Sequence, residues 1–290
     1  MKEIVVISGK GGTGKTSTTA SFAILAGETA VIADCDVDAA DMYLLLKPDV
    51  QKSENFNSGV IAGIISESCS GCGICMEKCR FDAINRNGDF YSVDQLECEG
   101  CGYCALVCPE DAISMNDNNV GNWYISNTKA NNILVHAKLS VGAENSGKLV
   151  AKVKNEASYI AKETDKDFVI VDGSPGIGCP VVSSLSGANY VVLITEPSLS
   201  GYHDLVRVYS LVSTFKLRAG CIINKSDINK EITNEILQFL KDKSIDYLGN
   251  IPYNEQFTKA MTMGQTVVEY NKNGLGLLLE DIWKKIVQIA

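Results

Sequence analysis

The chain has 290 residues, enough for one large α/β domain or a domain with a small insertion, and its 46 % hydrophobic content is ordinary for a globular core. The net charge of −9 offers no basic face for gripping a phosphate backbone, which argues against nucleic-acid binding, and no apolar run reaches the roughly 18 residues of a membrane span. Met1-Lys2-Glu3 runs straight into apolar Ile4 to Ile7 without the regions of a signal peptide, so a cytoplasmic location without stable membrane insertion is expected; eleven cysteines there suggest metal ligands or redox groups more than disulfides.

In chain order, short continuous apolar runs at Ile4 to Ile7, Val31 to Ala33, Phe168 to Val171, Val191 to Ile194 and Cys221 to Ile223 predict strands buried on both faces. Helical spacing lies between or after them at Ser17 to Ala26, Leu149 to Ala161, Tyr202 to Phe215 and Ile232 to Leu240, and a closing helix is expected over Leu275 to Ile289. This alternation predicts an α/β fold, a mostly parallel sheet with helices on both faces. Residues 66–117 break the pattern, so the expected organisation is a main domain of residues 1–65 and 118–290 around a small α+β insertion. Polar Trp123 to Val141 reads as strands returning the chain to the main sheet.

Between the first strand and the first helix stands Gly9-Lys10-Gly11-Gly12-Thr13-Gly14-Lys15-Thr16, a P-loop in the context its mechanism needs. Its glycines let the backbone curl so that successive N–H groups face phosphate oxygens, and the following helix adds the positive end of its dipole. Lys15 is expected to reach the terminal phosphates and Thr16 to hold Mg²⁺, with Ser17 completing the nucleotide-binding run. Lys10 has no role in an ordinary P-loop and needs a target of its own.

Eight cysteines fall between Cys69 and Cys108 and form a repeat: Cys69, Cys72, Cys75 and Cys79 return 29 positions later as Cys98, Cys101, Cys104 and Cys108, and Asp82-Ala83-Ile84 returns as Asp111-Ala112-Ile113. Ten acidic residues against three basic ones give residues 66–117 a local balance of −7, either a solvated surface or a docking face. The runs resemble those of two-cluster bacterial ferredoxins, in which the fourth cysteine of each run ligates the other cluster. The resemblance implies one 4Fe-4S cluster on Cys69, Cys72, Cys75 and Cys108, and a second on Cys98, Cys101, Cys104 and Cys79. Arg80 stands where the ferredoxin pattern has proline. Zinc on Cys-x-x-Cys pairs is the alternative, although it does not account for the duplication. Outside the module, Cys35 and Cys221 are expected to be buried strand residues, and Cys179 a packed thiol more readily than a bridging ligand.

The Lys-Gly-Gly-x-Gly-Lys-Thr loop closely resembles the deviant Walker A of the MinD/ParA superfamily of ATPases, which includes the nitrogenase iron protein and Mrp-type cluster carriers. The resemblance implies that Lys10 acts across an ATP-dependent homodimer on the partner's nucleotide. Asp34-Cys35-Asp36-Val37-Asp38 resembles switch I, with Asp36 positioning the attacking water and the Mg²⁺ shell, and Asp172-Gly173-Ser174-Pro175-Gly176 resembles switch II, with Asp172 as its Walker B acid. Asn224-Lys225-Ser226-Asp227 looks like a base-recognition element, with Pro252 counted in the same nucleotide set; the pattern is also the guanine-reading one of many GTPases, and the family resemblance favours ATP/ADP. The whole chain resembles MinD-type ATPases with an inserted ferredoxin domain. It implies ATP-gated electron transfer to a redox partner, or alternatively an ATP-dependent scaffold or carrier acting with a cofactor-assembly partner.

Overall fold

The computed structural model describes residues 1–140, 142–143 and 147–290. The amino-terminal part comprises β1 (Lys2–Ile7), α1 (Lys15–Ala26), β2 (Ala30–Asp34) and α2 (Met42–Leu46). Next come β3 (Asp49–Ile64), α3 (Ile74–Lys78), the hairpin β4 (Ile84–Asn87) and β5 (Phe90–Val93), α4 (Tyr103–Leu106), β6 (Ile113–Asn127) and β7 (Ile133–Leu139). The carboxyl-terminal half alternates α5 (Lys148–Glu163), β8 (Phe168–Asp172), α6 (Cys179–Leu185), β9 (Tyr190–Thr195), α7 (Leu199–Thr214), β10 (Ala219–Asn224), α8 (Lys230–Asp242) and β11 (Asp246–Ile251). It closes with α9 (Gln256–Thr262), α10 (Val267–Tyr270) and α11 (Leu275–Ile289). Among the described residues the sheet order is β11-β10-β9-β1-β8-β2-β7-β6-β3, and every pair from β11 to β7 is parallel.

The apolar runs become the central strands because both faces are covered. Ile4, Val6, Ile32, Ile170 and Val192 pack with α1, α10 and α11, while the alternating Val5, Ile7, Val31 and Val169 are equally buried. Burying a side chain of this size stabilises by roughly 1.5–3 kcal/mol, so runs buried on both faces fix the sheet. Amphipathic spacing shapes the covering helices: Val150, Val153, Ala157 and Ala161 form the buried stripe of α5. In α8, Ile232, Ile236 and Leu240 do the same, and the Asn229 side chain caps the helix by accepting from Ile232 N.

The chain divides into two compact units, Met1–Glu54 with Trp123–Lys138 and Asn145–Ala290, and Asn55–Asn122 with Leu139–Glu144. The second unit extends beyond residues 66–117 because the long strands β3 and β6 carry its ends. Within it, the 29-residue repeat is also a repeat of backbone conformation. Gly71 and Gly100, Gly73 and Gly102, and Asp82 and Asp111 are pairs 29 apart, each with positive φ, and Gly73 and Gly102 precede α3 and α4. A Cβ on Gly100 would meet the carbonyl oxygen of Val60 at 1.9 Å, so only glycine fits that turn. The segment after Trp123 forms part of β6 and then β7, as the return to the main sheet requires; Val141, the expected end of that segment, lies outside the described residues.

In the first unit His136, on β7, stacks on Tyr124 and lies 2.9 Å from Ser126 Oγ. Burial pushes its pKa down to about 4. The unfolded chain, with a histidine pKa of about 6.5, therefore takes up this proton first, and the stability contribution present above that pH is lost as pH falls toward the folded value. Between pH 7 and 5 the loss is about 2 kcal/mol. Urea unfolding at both pH values should show His136→Gln losing less stability than the wild type; equal losses would refute this account of His136.

Candidate nucleotide site and cysteine cavities

The loop between β1 and α1 is shaped by close approaches. A Cβ on Gly9 would meet Asp204 O at 2.4 Å, and one on Gly14, whose φ is 89°, would meet Asn224 Nδ2 at 2.4 Å. Lys15 opens α1 and is 5 % exposed, with Nζ 3.0 Å from Asp172 Oδ1 and 3.2 Å from Asp36 Oδ2. Thr16 Oγ1 donates to Asp172 Oδ2 at 2.7 Å, and Thr19 Oγ1 to Asp172 Oδ1 at 2.8 Å. Strand β8 ends at Asp172, and Asp36 follows β2, so the carboxyl ends of neighbouring parallel strands deliver both acids to the phosphate loop.

Asp34 completes a buried group of three carboxylates, and its Oδ1 accepts from Asp36 N at 3.2 Å. Burial raises the pKa of Asp34 well above the carboxylate range, and the neighbouring Asp172 adds to the rise. Burial likewise raises Asp36, against the opposing pull of Lys15. For Lys15, burial works to lower the pKa, but the charges of Asp172 and Asp36 outweigh it and the net shift is upward.

An open cleft of about 660 Å³ borders this group. Gly11, Gly12, Gly14, Lys15, Thr16 and Ser17 line it from the loop, Asp36 from the segment after β2, and Asn224, Lys225 and Pro252 from the other side. Of the remaining expected residues, Asp172 is fully buried and joined to the loop through Thr16, while Thr13 is buried with an Oγ1 that has no hydrogen-bond partner. Lys10 Nζ lies 2.6 Å from Glu196 Oε1 and donates to Ser200 Oγ at 2.9 Å, so within one protomer it is held in cis. Lys225 Nζ meets the other Glu196 oxygen at 2.7 Å. Burial works to raise the Glu196 pKa, but hydrogen bonds from Lys10 and Lys225 outweigh it and lower the pKa. The oxygen set of Thr16, Asp36 and Asp172 fits a hard cation such as Mg²⁺, and the loop with its unpartnered Thr13 hydroxyl fits phosphate.

Several site residues escaped the sequence reading. Tyr253, Phe257 and Met261 add an aromatic and apolar wall to the cleft. The i, i+4 spacing of Phe257 and Met261 on α9 was the available signal. Glu196 and Thr19 had none, because their partners are distant in sequence.

In the second unit the eight cysteines divide between two cavities. One is lined by Cys69, Cys72, Cys75 and Cys108; the other by Cys79, Cys98, Cys101 and Cys104. Among the described residues no three His, Cys, Asp or Glu side chains converge as ligands of a single metal ion. Cys35 and Cys221 are buried as expected. Cys179 corrects the expectation of a packed thiol: it begins α6, is exposed, and leaves the buried face of that helix to Val181, Ser184 and Leu185. No helix among the described residues is long and apolar enough to cross a membrane.

Residues 4–267 match the family model for the CobQ/CobB/MinD/ParA nucleotide binding domain. An uncharacterized protein of Methanocaldococcus jannaschii is 36 % identical over 231 residues, covering 78 % of this chain and 79 % of that protein. Among solved structures, the cell division ATPase MinD of Pyrococcus furiosus superposes with a TM-score of 0.60 at 17 % identity, covering 100 % of this chain and 99 % of that one. The septum site-determining protein MinD of Pyrococcus horikoshii, complexed with Mg-ADP, gives a TM-score of 0.58 at 17 % identity, covering 98 % and 95 %. At these identities the two structures show a shared fold.

The buried acids make Lys15 a structural residue as well as a candidate phosphate ligand. Lys15→Met should destabilise the nucleotide-free protein by about 3 kcal/mol at pH 7, because removing one partner leaves buried charge uncompensated. The penalty should shrink at pH 5, since the acids already have raised pKa values and take up protons more readily there. Thermal unfolding without nucleotide at the two pH values checks both points.

Proposed function

Because this chain belongs to the CobQ/CobB/MinD/ParA family of nucleotide-binding domains, we propose that it hydrolyses ATP and couples an ATP-dependent dimer switch to electron transfer through two 4Fe-4S clusters to a partner protein. The observation that carries the redox half is the division of the cysteines. Each cavity is lined by three members of one run and the fourth of the other, the crossed arrangement of two-cluster ferredoxins. A tetrahedral zinc needs four sulfurs converging on one point about 2.3 Å away, whereas a cage of iron and sulfide needs thiols spaced around a volume.

In this reading, Lys15 and the loop amides hold the phosphates, while Thr16, Asp36 and Asp172 hold Mg²⁺ directly or through water. Asp36 also orients the attacking water, and Lys10 leaves Glu196 to neutralise phosphate charge on the partner protomer. The clusters supply one-electron transfer; the chain's part is to hold them, limit water around them and set their exposure. The cysteine-bearing residues lie in sequence between the Asp36 and Asp172 segments, so both ends of that excursion join segments that respond to the terminal phosphate. The exposure of Cys72 and Cys101 favours a second reading, an ATP-dependent cluster scaffold or carrier, because transferable clusters need accessible ligands.

Protein prepared anaerobically should hold roughly eight iron and eight inorganic sulfide per chain. Cys108→Ser should disrupt the cluster held with Cys69, Cys72 and Cys75 and leave the other. Stoichiometric zinc without sulfide would sink the cluster assignment.

Coupling is tested by an anaerobic redox titration followed by EPR, without nucleotide, with ADP, and with ATP bound to Asp36→Asn, which should slow water attack. Linkage requires that a tenfold difference in ATP affinity between oxidation states appear as a shift of about 60 mV for a one-electron couple. Lys10→Ala, unable to complete the partner's site, should bind ATP but show neither dimer nor shift. Identical potentials in all states, with clusters delivered intact to an apo-acceptor, would put the carrier reading ahead.

A further inference from the structure

The segment Asn224-Lys225-Ser226-Asp227 matches the pattern with which many GTPases read guanine. In that role the aspartate carboxylate must face the base and accept from the guanine N1–H and exocyclic amine. Here Asn224, Lys225, Pro252, Tyr253 and Asn254 line the cleft on this side, whereas Asp227 is turned to a different task. Its Oδ1 accepts the backbone N–H of Tyr253 at 2.6 Å, and the neighbouring Ser226 N donates to Ile251 O at 3.0 Å.

The same segment grips the phosphate loop at its other end. Asn224 Nδ2 donates to Thr13 O at 2.7 Å, and Lys225 Nζ to Gly12 O at 3.2 Å. Lys225 has a φ of 55°, a turn that lets the segment reach the phosphate loop with its first two residues and the end of β11 and Tyr253 with its last two. The four residues thus bridge the two sides of the cleft.

We propose that Asp227 is a positioning residue rather than a base reader: it fixes the Tyr253 lip of the nucleotide cleft, and so is not the carboxylate that would pair with guanine. The proposal rests on the nucleotide site described above. A charge-assisted hydrogen bond to a backbone N–H is strong enough to set a loop, and an asparagine oxygen can accept the same N–H. A guanine-reading aspartate behaves differently, because its change to asparagine replaces an acceptor with a donor and turns preference toward xanthine.

The experiment is calorimetry of the full chain with Mg²⁺ and ADP, GDP or xanthosine diphosphate, together with steady-state ATP hydrolysis. The wild type should favour ADP. Asp227→Ala should weaken ADP and GDP by a common factor of about five and raise KM for ATP similarly, with kcat unchanged. Asp227→Asn should restore affinity and KM to within about twofold of wild type and gain nothing for xanthosine diphosphate. Loss of GDP with gain of xanthosine diphosphate in Asp227→Asn, or failure of asparagine to rescue the alanine defect, overturns the positioning role while leaving the nucleotide site intact. A wild type that binds none of the three overturns the nucleotide site itself, and this assignment with it.

Discussion

The loop end of the first unit is organised around the buried cation Lys15. Lys15 is the positive charge set against Asp36 and Asp172, and Asp34 lies within the same electrostatic field. Carboxylates are expensive to bury without compensation, so the glycine-rich loop and the segments that carry Asp36 and Asp172 depend on a contact made where β2 and β8 end. Thr16 and Thr19 bond both oxygens of Asp172 and fix its orientation toward α1. In the proposed reading, a phosphate that engages Lys15 competes with these acids, and the Mg²⁺ arriving with the nucleotide supplies replacement charge. Nucleotide binding then redistributes the forces on both switches at once.

In the second unit the constraint is backbone shape. Six residues in three pairs separated by 29 positions adopt positive φ, and the paired Ala83 and Ala112 are almost fully buried. The small apolar core of Cys75, Ile84 and Tyr91, with Cys69, Cys79 and Cys104 packed against it, draws cysteines from both runs around shared side chains. A unit this poor in apolar mass gains little from burial alone, and a bound group would add the cross-links that its core lacks.

Legibility followed burial. The strands whose residues are buried on both faces, such as Tyr190–Thr195, stood out as apolar runs, and the amphipathic helices were readable to within a few residues at each end. Strand β3 was not, because most of its Asp49–Ile64 residues are exposed and its apolar run, Val60 to Ala62, comes only near its end. Strand β11 was hidden by Gly249, a position where a Cβ would stand 3.0 Å from Ile282 of α11, so packing selected a residue that local propensity reads as a break. The sequence could name residues that the fold gathers around one cleft, because their motif is local to a loop. The Tyr253 lip and Glu196 were not, since each acquires its meaning from a partner brought close only by folding.

The two loop lysines show how five positions of sequence separate two physical roles. Lys15 is 5 % exposed and meets two carboxylates, a commitment that is costly to undo. Lys10 is 29 % exposed and shares Glu196 with Lys225, and an ion pair this open to water is worth about 1 kcal/mol or less. Glu196 also keeps Lys225 as a counter-ion when Lys10 moves, so the carboxylate is not stranded. Lys10 can therefore exchange its anion at small cost while Lys15 stays fixed, which is the asymmetry that the proposed action of Lys10 on a partner protomer's phosphate would require.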